Sequence, residues 1–228
     1  MVKHTRRTER GETSLSRERI IDASIAMLDA GGEAGLTFRA LAEQLATGAG
    51  AIYWHVANKE DLLNAASDAI VARTMAACGG KATPQDAIRA ISLGMFDVID
   101  AHPWVGAELA RSPGKMPMVR ILEGLGRQVR LLGVPERGQW QASTTLLHYV
   151  LGVASQNASN ARSARALDAN RADLLGAVGE AWLQLDVNDY AFTRSMAGQL
   201  CEHDDRLDFL AGINLFLAGI EAALSQSA

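Results

Sequence analysis

Apolar residues recur along most of this chain at intervals of three and four, the repeat of helices that bury one face. The period-two, β-branched pattern of strands is missing, so the predicted fold class is all-α. Ser16 is placed to cap a first helix, with Glu18 in its positive first turn and Ile21, Ile25 and Leu28 on one face, and Gly31-Gly32 stops it. Thr37 caps a second helix whose Leu41 and Leu45 point inward. Thr47-Gly48 then makes a turn, and a short third helix runs through Ile52 to about His55. Asn58 caps a fourth, longer helix that ends near Gly79-Gly80, with Leu62, Leu63, Ala66 and Ile70 as its apolar face. These signals divide the chain into a flexible arm at 1–15, a helix-turn-helix head of three helices at 16–62, and a larger helical body at 63–228.

The body is punctuated as clearly. Thr83 caps a helix with Pro84 at its first position, where a missing N–H costs nothing. Its stripe is Ile88, Ile91, Met95, Val98 and Ile99, and His102-Pro103 ends it. A short helix over Trp104–Arg111, a turn at Ser112-Pro113-Gly114 and a helix over Met116–Leu132 follow. From Gln139 to about Ala161 there is no Asp, Glu, Lys or Arg, so a largely buried helix is expected there. Residues 163–186 read either as a helix from Arg171 to Leu185 or as an irregular excursion, and a helix near Tyr190–Leu200 comes next. The last helix, Asp205 to about Leu224, carries Leu210, Ile213, Leu217, Ile220 and Leu224 on one stripe, widened by Leu207, Phe209 and Phe216. Such a helix needs two neighbours, one from its own core and one from elsewhere.

With 228 residues, 48% of them hydrophobic, the chain can bury a sizeable core. A net charge of −4 speaks against an indiscriminate nucleic-acid binder. Yet Lys3, Arg6, Arg7, Arg10, Arg17 and Arg19 crowd the first nineteen residues against Glu9, Glu12 and Glu18. That run reads as a solvated tail or as a phosphate-seeking arm. Cys78 and Cys201 stand in no metal or redox spacing and read as idle thiols of a reducing cytosol. No apolar signal segment follows the basic start, and the longest uncharged apolar run, Phe209 to Ile220, is too short to span a bilayer. The expectation is a cytoplasmic protein without membrane association, cofactor or metal. Glu108, Glu123, His102 and His148 are too scattered to form a catalytic set, and no enzyme is expected.

Tyr53, Trp54 and His55 group near the end of the third helix, and Lys59 opens the fourth. Aromatic and basic groups on a small helical module are what a grip on a DNA backbone requires. The stretch Gly35-Leu36-Thr37, then Leu41-Ala42 and Leu45, then Ile52-Tyr53-Trp54-His55-Val56, then Asn58-Lys59 and Leu62-Leu63 resembles the TetR family of bacterial one-component transcriptional regulators. The likeness is greatest to the tetracycline-repressor branch. The resemblance implies an Ω-shaped homodimer that binds double-stranded operator DNA with its heads and a small organic effector with its bodies. It implies a four-helix dimer interface, for which the segments at 139–161 and 205–224 are the natural candidates. By resemblance, Tyr53, His55 and Lys59 donate to phosphates, while Thr37 and Arg39 face backbone and groove, Arg39 within reach of a guanine edge. Ile52 and Trp54 are expected in the core of the head.

The recognition helix opens with Thr47, Gly48, Ala49 and Gly50, where relatives carry side chains able to read bases. Ala and Gly offer only contact with a thymine methyl and close backbone approach, so specificity is expected to rest on Arg39, Thr47 and DNA shape. Two glycines also weaken a short helix by about 1 kcal/mol each relative to Ala. For the effector, the body offers Phe96, His102, Trp104, Glu108, Pro113, Met116, Met118, Trp140, His148, Asn157 and Trp182, with core packing as the competing reading of each. Against the tetracycline–metal site of the branch it resembles, the fourth helix has no His and Glu108 stands at the second His position, whereas Pro113 matches. By analogy, an aromatic natural product or antibiotic-like molecule is expected rather than a metal–drug complex. The functional expectation is a repressor released from a palindromic operator by its effector. The alternative is a small-molecule binding or sequestering protein with a weakened DNA-binding head.

Overall fold

The computed structural model describes residues 15–166 and 170–226, so the basic arm expected at 1–15 lies, but for Leu15, outside the described residues. Among those residues the chain forms eleven α-helices and no strand. The head is α1 (Arg17–Gly35), α2 (Phe38–Gln44) and α3 (Ala49–Tyr53), and α4 (Lys59–Ala77) leads out of it. The body continues with α5 (Pro84–Ala101), α6 (Pro103–Arg111), α7 (Met116–Leu131), α8 (Glu136–Ala166), α9 (Arg171–Leu183), α10 (Ala191–Met196) and α11 (Asp205–Ser225).

The helix starts obey the capping chemistry of their sequences. Ser16 Oγ accepts from the Arg19 amide, Thr37 Oγ1 from Ala40, Asn58 Oδ1 from Asp61 and Thr83 Oγ1 from Asp86, at 2.8–3.2 Å. Two further caps, Asn170 and Asp204, serve α9 and α11. Gly32, at φ 61°, breaks α1 where the glycine pair sits, but helical turns resume as far as Gly35. The helix expected at Tyr190–Leu200 is divided into α10 and a short 3-10 turn at Gln199–Cys201.

The core lies where α4, α5, α7 and α8 pack together, with Val71, Ile88, Met95, Ile121, Leu146 and Val150 fully buried. Helix α8 differs from expectation in two ways. It is longer, taking in the charged ends at Glu136, Arg137 and Arg162, and it is not buried all round. Leu146, Val150, Ala154 and Ala158 face the core, but Trp140, His148 and Gly152 are exposed. Lack of charge thus marks a face without a solvent-adapted surface, not a face already covered. Helix α11 behaves the same way, burying Phe209, Ile213 and Leu217 while Leu207 and Leu215 stand in solvent. By length and composition α11 is apolar enough to cross a membrane. In the fold it lies against α5 and α8, with Arg89 Nε donating to Asn214 and Arg206 paired with Asp97.

Candidate nucleic-acid interface and effector chamber

The head is held from within by Ile20, Leu28, Leu36, Leu41, Ile52 and Val56. Between α2 and α3 the chain turns at Ala46, whose φ of 50° is left-handed, so the strained residue is an alanine rather than part of the Thr47-Gly48 pair. The Ala46 and Thr47 amides return to the carbonyls of Glu43 and Ala42. Left-handed backbone costs a residue with a Cβ about 1–2 kcal/mol. Gly48 and Gly50 have ordinary dihedrals, and a Cβ on either would meet nothing within 4 Å. Nothing inside the fold demands glycine at these two exposed positions.

The ring of Phe38 in α2 stacks flat on Tyr53 at 4.3 Å, which fixes the direction of a tyrosine that remains 53% exposed. Trp54 departs from the expectation of a core residue: it is 90% exposed. It sits two residues past Ile52, about 200° round the helix, and Val56 fills the core instead. Arg39 is exposed and lies 3.1 Å from Glu43 on its own helix. Thr37 is exposed as well as capping, whereas Thr47, Ala49 and His55 are half-buried. Lys59 is half-buried, and its Nζ donates to the Glu33 carbonyl at 2.7 Å, leaving two of its three N–H groups for other acceptors. Thr37, Arg39, Tyr53 and Trp54 thus stand in solvent, as do Gly48 and Gly50.

The end of α1 ties the head to the body. Asp29 Oδ1 accepts from the Trp104 indole at 2.8 Å and lies 2.7 Å from His102 Nδ1. Glu33 binds Arg111 at 2.7 Å, and Arg111 in turn holds Glu108 at 2.9 Å. The hydrogen bond and charge of Glu33 hold the Arg111 guanidinium above its ordinary pKa.

The residues expected to line one effector pocket are not gathered into one. Phe96 stacks on Phe209 inside the core, and Met118 is buried. His102 and Trp104 serve Asp29, and Glu108, 3% exposed, is taken by Arg111 and Ser112. Pro113 and Met116 are exposed at the α6–α7 turn, Trp140 and His148 are exposed on α8, and Trp182 is half-buried on α9. Asn157 is the exception: its Nδ2 donates to Asp100 at 3.1 Å, and it lines a chamber of ≈ 680 Å³ where α8, α9 and the start of α11 meet.

The helix read as one alternative for 163–186 is present as α9, and its first residue, Arg171, joins His203 and Asp205 on the chamber's other polar wall, a grouping that no spacing along the chain announces. Arg171 Nη2 donates to Asp205 at 2.7 Å, and His203 Nε2 lies 3.0 Å from the same carboxylate. A second cavity of ≈ 630 Å³ lies among α4, α5 and α7, beside Cys78. The Cys78 thiol donates to the Ala90 carbonyl, and burial pushes its pKa up. Among the described residues no three His, Cys, Asp or Glu side chains are grouped to hold a metal.

The pattern of the bacterial regulatory proteins of the tetR family matches residues 20–66, which run from α1 into α4. An HTH-type transcriptional regulator of Saccharopolyspora erythraea is 31% identical over 99 residues, 43% of this chain and 42% of that protein. The class D tetracycline repressor protein of Escherichia coli is 46% identical over 59 residues, 26% of this chain and 27% of the repressor. The chain therefore matches less than half the length of these two relatives. The solved structure of SCO7222, a TetR transcriptional regulator of Streptomyces coelicolor, is similar throughout: 51% identical, TM-score 0.82, covering 92% of this chain and 99% of that one. With the head pattern in place and a body that follows such a regulator over nearly its whole length, the chain belongs to the TetR family of transcriptional regulators.

Proposed function

We propose that the chain is a cytoplasmic repressor that binds a palindromic operator as a homodimer and is released by a small organic effector. The observation that carries the reading is that Thr37, Arg39, Tyr53 and Trp54 of the head are exposed together with Gly48 and Gly50 at the start of α3, two glycines that nothing inside the fold requires. A bare backbone approaches a groove closely, and aromatic and basic groups flank it to fix phosphates. The exposed apolar faces of α8 and α11, with Trp140 and Leu215, support the homodimer, since a monomer rarely leaves such surface in water. Two heads so joined would sit ~34–36 Å apart, one turn of DNA.

Fluorescence anisotropy of a labelled duplex from the gene's own upstream region, at low and physiological salt, tests this. Salt-sensitive and sequence-selective binding is expected, together with a dimer in sedimentation. Binding no tighter than to random DNA at every concentration, or a stable monomer, refutes it. Effector binding by a protein that ignores DNA favours the sequestering reading instead.

A further inference from the structure

Of the five residues of α3 only Ile52 is buried, and it fixes which way the helix faces. At about 100° per residue, the positions turned farthest from Ile52 are Gly50, two residues before it, and Trp54, two residues after it. Trp54 keeps helical dihedrals, φ −70° and ψ −20°, so the two stand one turn apart on the same outward crest. Both are exposed, and the half-buried Ala49 and Ala51 flank them with nothing larger than a methyl group. The fold does not require glycine at position 50: its φ is not left-handed, and a Cβ there meets nothing within 4 Å, the Trp54 indole included.

We propose that Gly50 is a specificity-determining residue of the DNA interface, one that lets the backbone of α3 settle against the bases so that its apolar crest reads the 5-methyl groups of thymine. The assignment rests on the reading of the chain as an operator-binding regulator, and it names the chemistry by which that operator is read. The second helix of a helix-turn-helix presents its first residues to base edges in the major groove. Gly50 is the second residue of α3.

Stability and recognition pull this position in opposite directions. Alanine is the better helix former and the fold has room for it, so the head alone would be firmer with a side chain here. What glycine supplies is a surface without a Cβ, over which another molecule comes closer to the backbone than any side chain allows. From Gly48 to Ile52 that surface carries no side-chain donor or acceptor. Among the groups that a base pair shows in the major groove, the one that suits such a surface is the thymine methyl, whereas guanine and adenine edges reward hydrogen bonds. The indole of Trp54, one turn farther on and 90% exposed, extends the apolar crest.

The test uses the full-length protein and the labelled upstream duplex made in two forms, one with thymine and one with uracil in place of every thymine, which removes only the 5-methyl groups. In anisotropy at fixed salt the wild-type protein is expected to bind the uracil duplex about tenfold or more weaker than the thymine duplex, with no such difference on random-sequence DNA. Gly50→Ala and Gly50→Leu are expected to hold or raise the urea midpoint, since both residues form helix better than glycine. They are also expected to weaken binding to the thymine duplex about tenfold or more, leucine more than alanine. In Gly50→Leu the two duplexes are expected to bind within about threefold of each other, because the side chain and the missing methyl remove the same contact. Variants that bind the thymine duplex as tightly as the wild type, a uracil duplex bound as tightly as the thymine one, or losses from Gly50→Leu and from uracil that simply add overturn the assignment while leaving the operator-binding reading in place. A urea midpoint lowered in both variants overturns it too, since the fold itself would then require the glycine. Wild-type protein that binds the thymine duplex no tighter than random DNA refutes the operator-binding reading, and the assignment with it.

Discussion

Replacing Asp29 by Ala removes the acceptor that holds α6 to α1. Its Oδ1 takes the Trp104 indole N–H at 2.8 Å and lies 2.7 Å from His102 Nδ1. The two contacts are not equally costly to lose. Trp104 is 8% exposed, so its N–H has little access to water once the carboxylate is gone, and an unpaired buried donor costs ~1–3 kcal/mol. The His102 side chain is 27% exposed and can be rehydrated, so its contact is worth about 0.5 kcal/mol. The expected loss of stability is therefore about 2 kcal/mol, most of it from the indole. The exposed pair Asp22–Arg73 provides an internal comparison, since Asp22→Ala breaks an ion pair at 2.6 Å for at most about 0.5 kcal/mol.

Trp104→Phe deletes the donor but also loses packing, and a double-mutant cycle with Asp29→Ala separates the two. The coupling is expected at ~1–2 kcal/mol. Urea unfolding followed by circular dichroism, at one fixed protomer concentration, measures it. If Asp29→Ala costs no more than Asp22→Ala, or if the two losses at Asp29 and Trp104 simply add, the tie between α1 and α6 is not what holds these elements together.

Four further outcomes are expected. Trp54→Ala should leave the urea midpoint unchanged, because the side chain is 90% exposed, while weakening binding to the upstream duplex; unchanged DNA binding would remove Trp54 from the interface. Ala46→Gly should stabilise by about 0.5–1 kcal/mol, since glycine adopts φ 50° without the Cβ clash, and a loss of stability would show that the turn is relaxed as it stands. Ser92 is fully buried and among the described residues its Oγ has no hydrogen-bond partner, so Ser92→Ala should raise the urea midpoint by the equivalent of ~1 kcal/mol, and a fall would reveal a partner for the hydroxyl. Burial raises the pKa values of Cys78 and Tyr149 above their ordinary 9.0 and 10.0. The unfolded chain loses these protons first, so this stability is present below about pH 9 and is lost as pH rises through the folded values. A urea midpoint that falls above pH 9, with the earlier part of the fall absent in Cys78→Ala, is the expected profile; a flat profile refutes it.

Where the chain's rules are local, they are legible. A cap bonds an amide two or three residues away, so Ser16, Thr37, Asn58 and Thr83 announce their helices in the sequence itself. The same holds for the stripe Ile88, Ile91, Met95 and Ile99, which the structure buries. Trp54 defeats the pattern because it lies about 200° round the helix from the buried Ile52, and Val56, just past the end of α3, fills the core in its place. The residues expected at an effector pocket defeat it for another reason. Aromatic and polar residues in the body find partners 57 to 75 positions away, as Asn157 does in Asp100 and Trp104 in Asp29, and spacing along the chain carries no trace of such pairs. Charge-free stretches at α8 and α11 are legible as unusual, but whether core or a second subunit covers them is a property of assembly.

Glu33 shows why the head and the body are not independent even though they read as separate units. It lies just after the break at Gly32, and it meets both neighbours at once: its carboxylate binds Arg111 of α6, and its carbonyl accepts from Lys59 in the first turn of α4. Arg111 is in turn held by the buried carboxylate of Glu108, so α6 reaches this short segment through a half-exposed ion pair. Lys59 is also among the groups proposed to meet a phosphate, and with one N–H committed to Glu33 it has two left to do so. If Lys59 meets a phosphate as proposed, α6 influences the position of that ammonium through Arg111 and Glu33, without any movement of α3 within the head. A shift of α6 moves Glu33 and Asp29 together, and with them the ammonium and the end of α1. On the proposed reading, a change in the body would reach the DNA contacts by displacing the phosphate anchors rather than by unfolding α3, and release would need no loss of helix in the head.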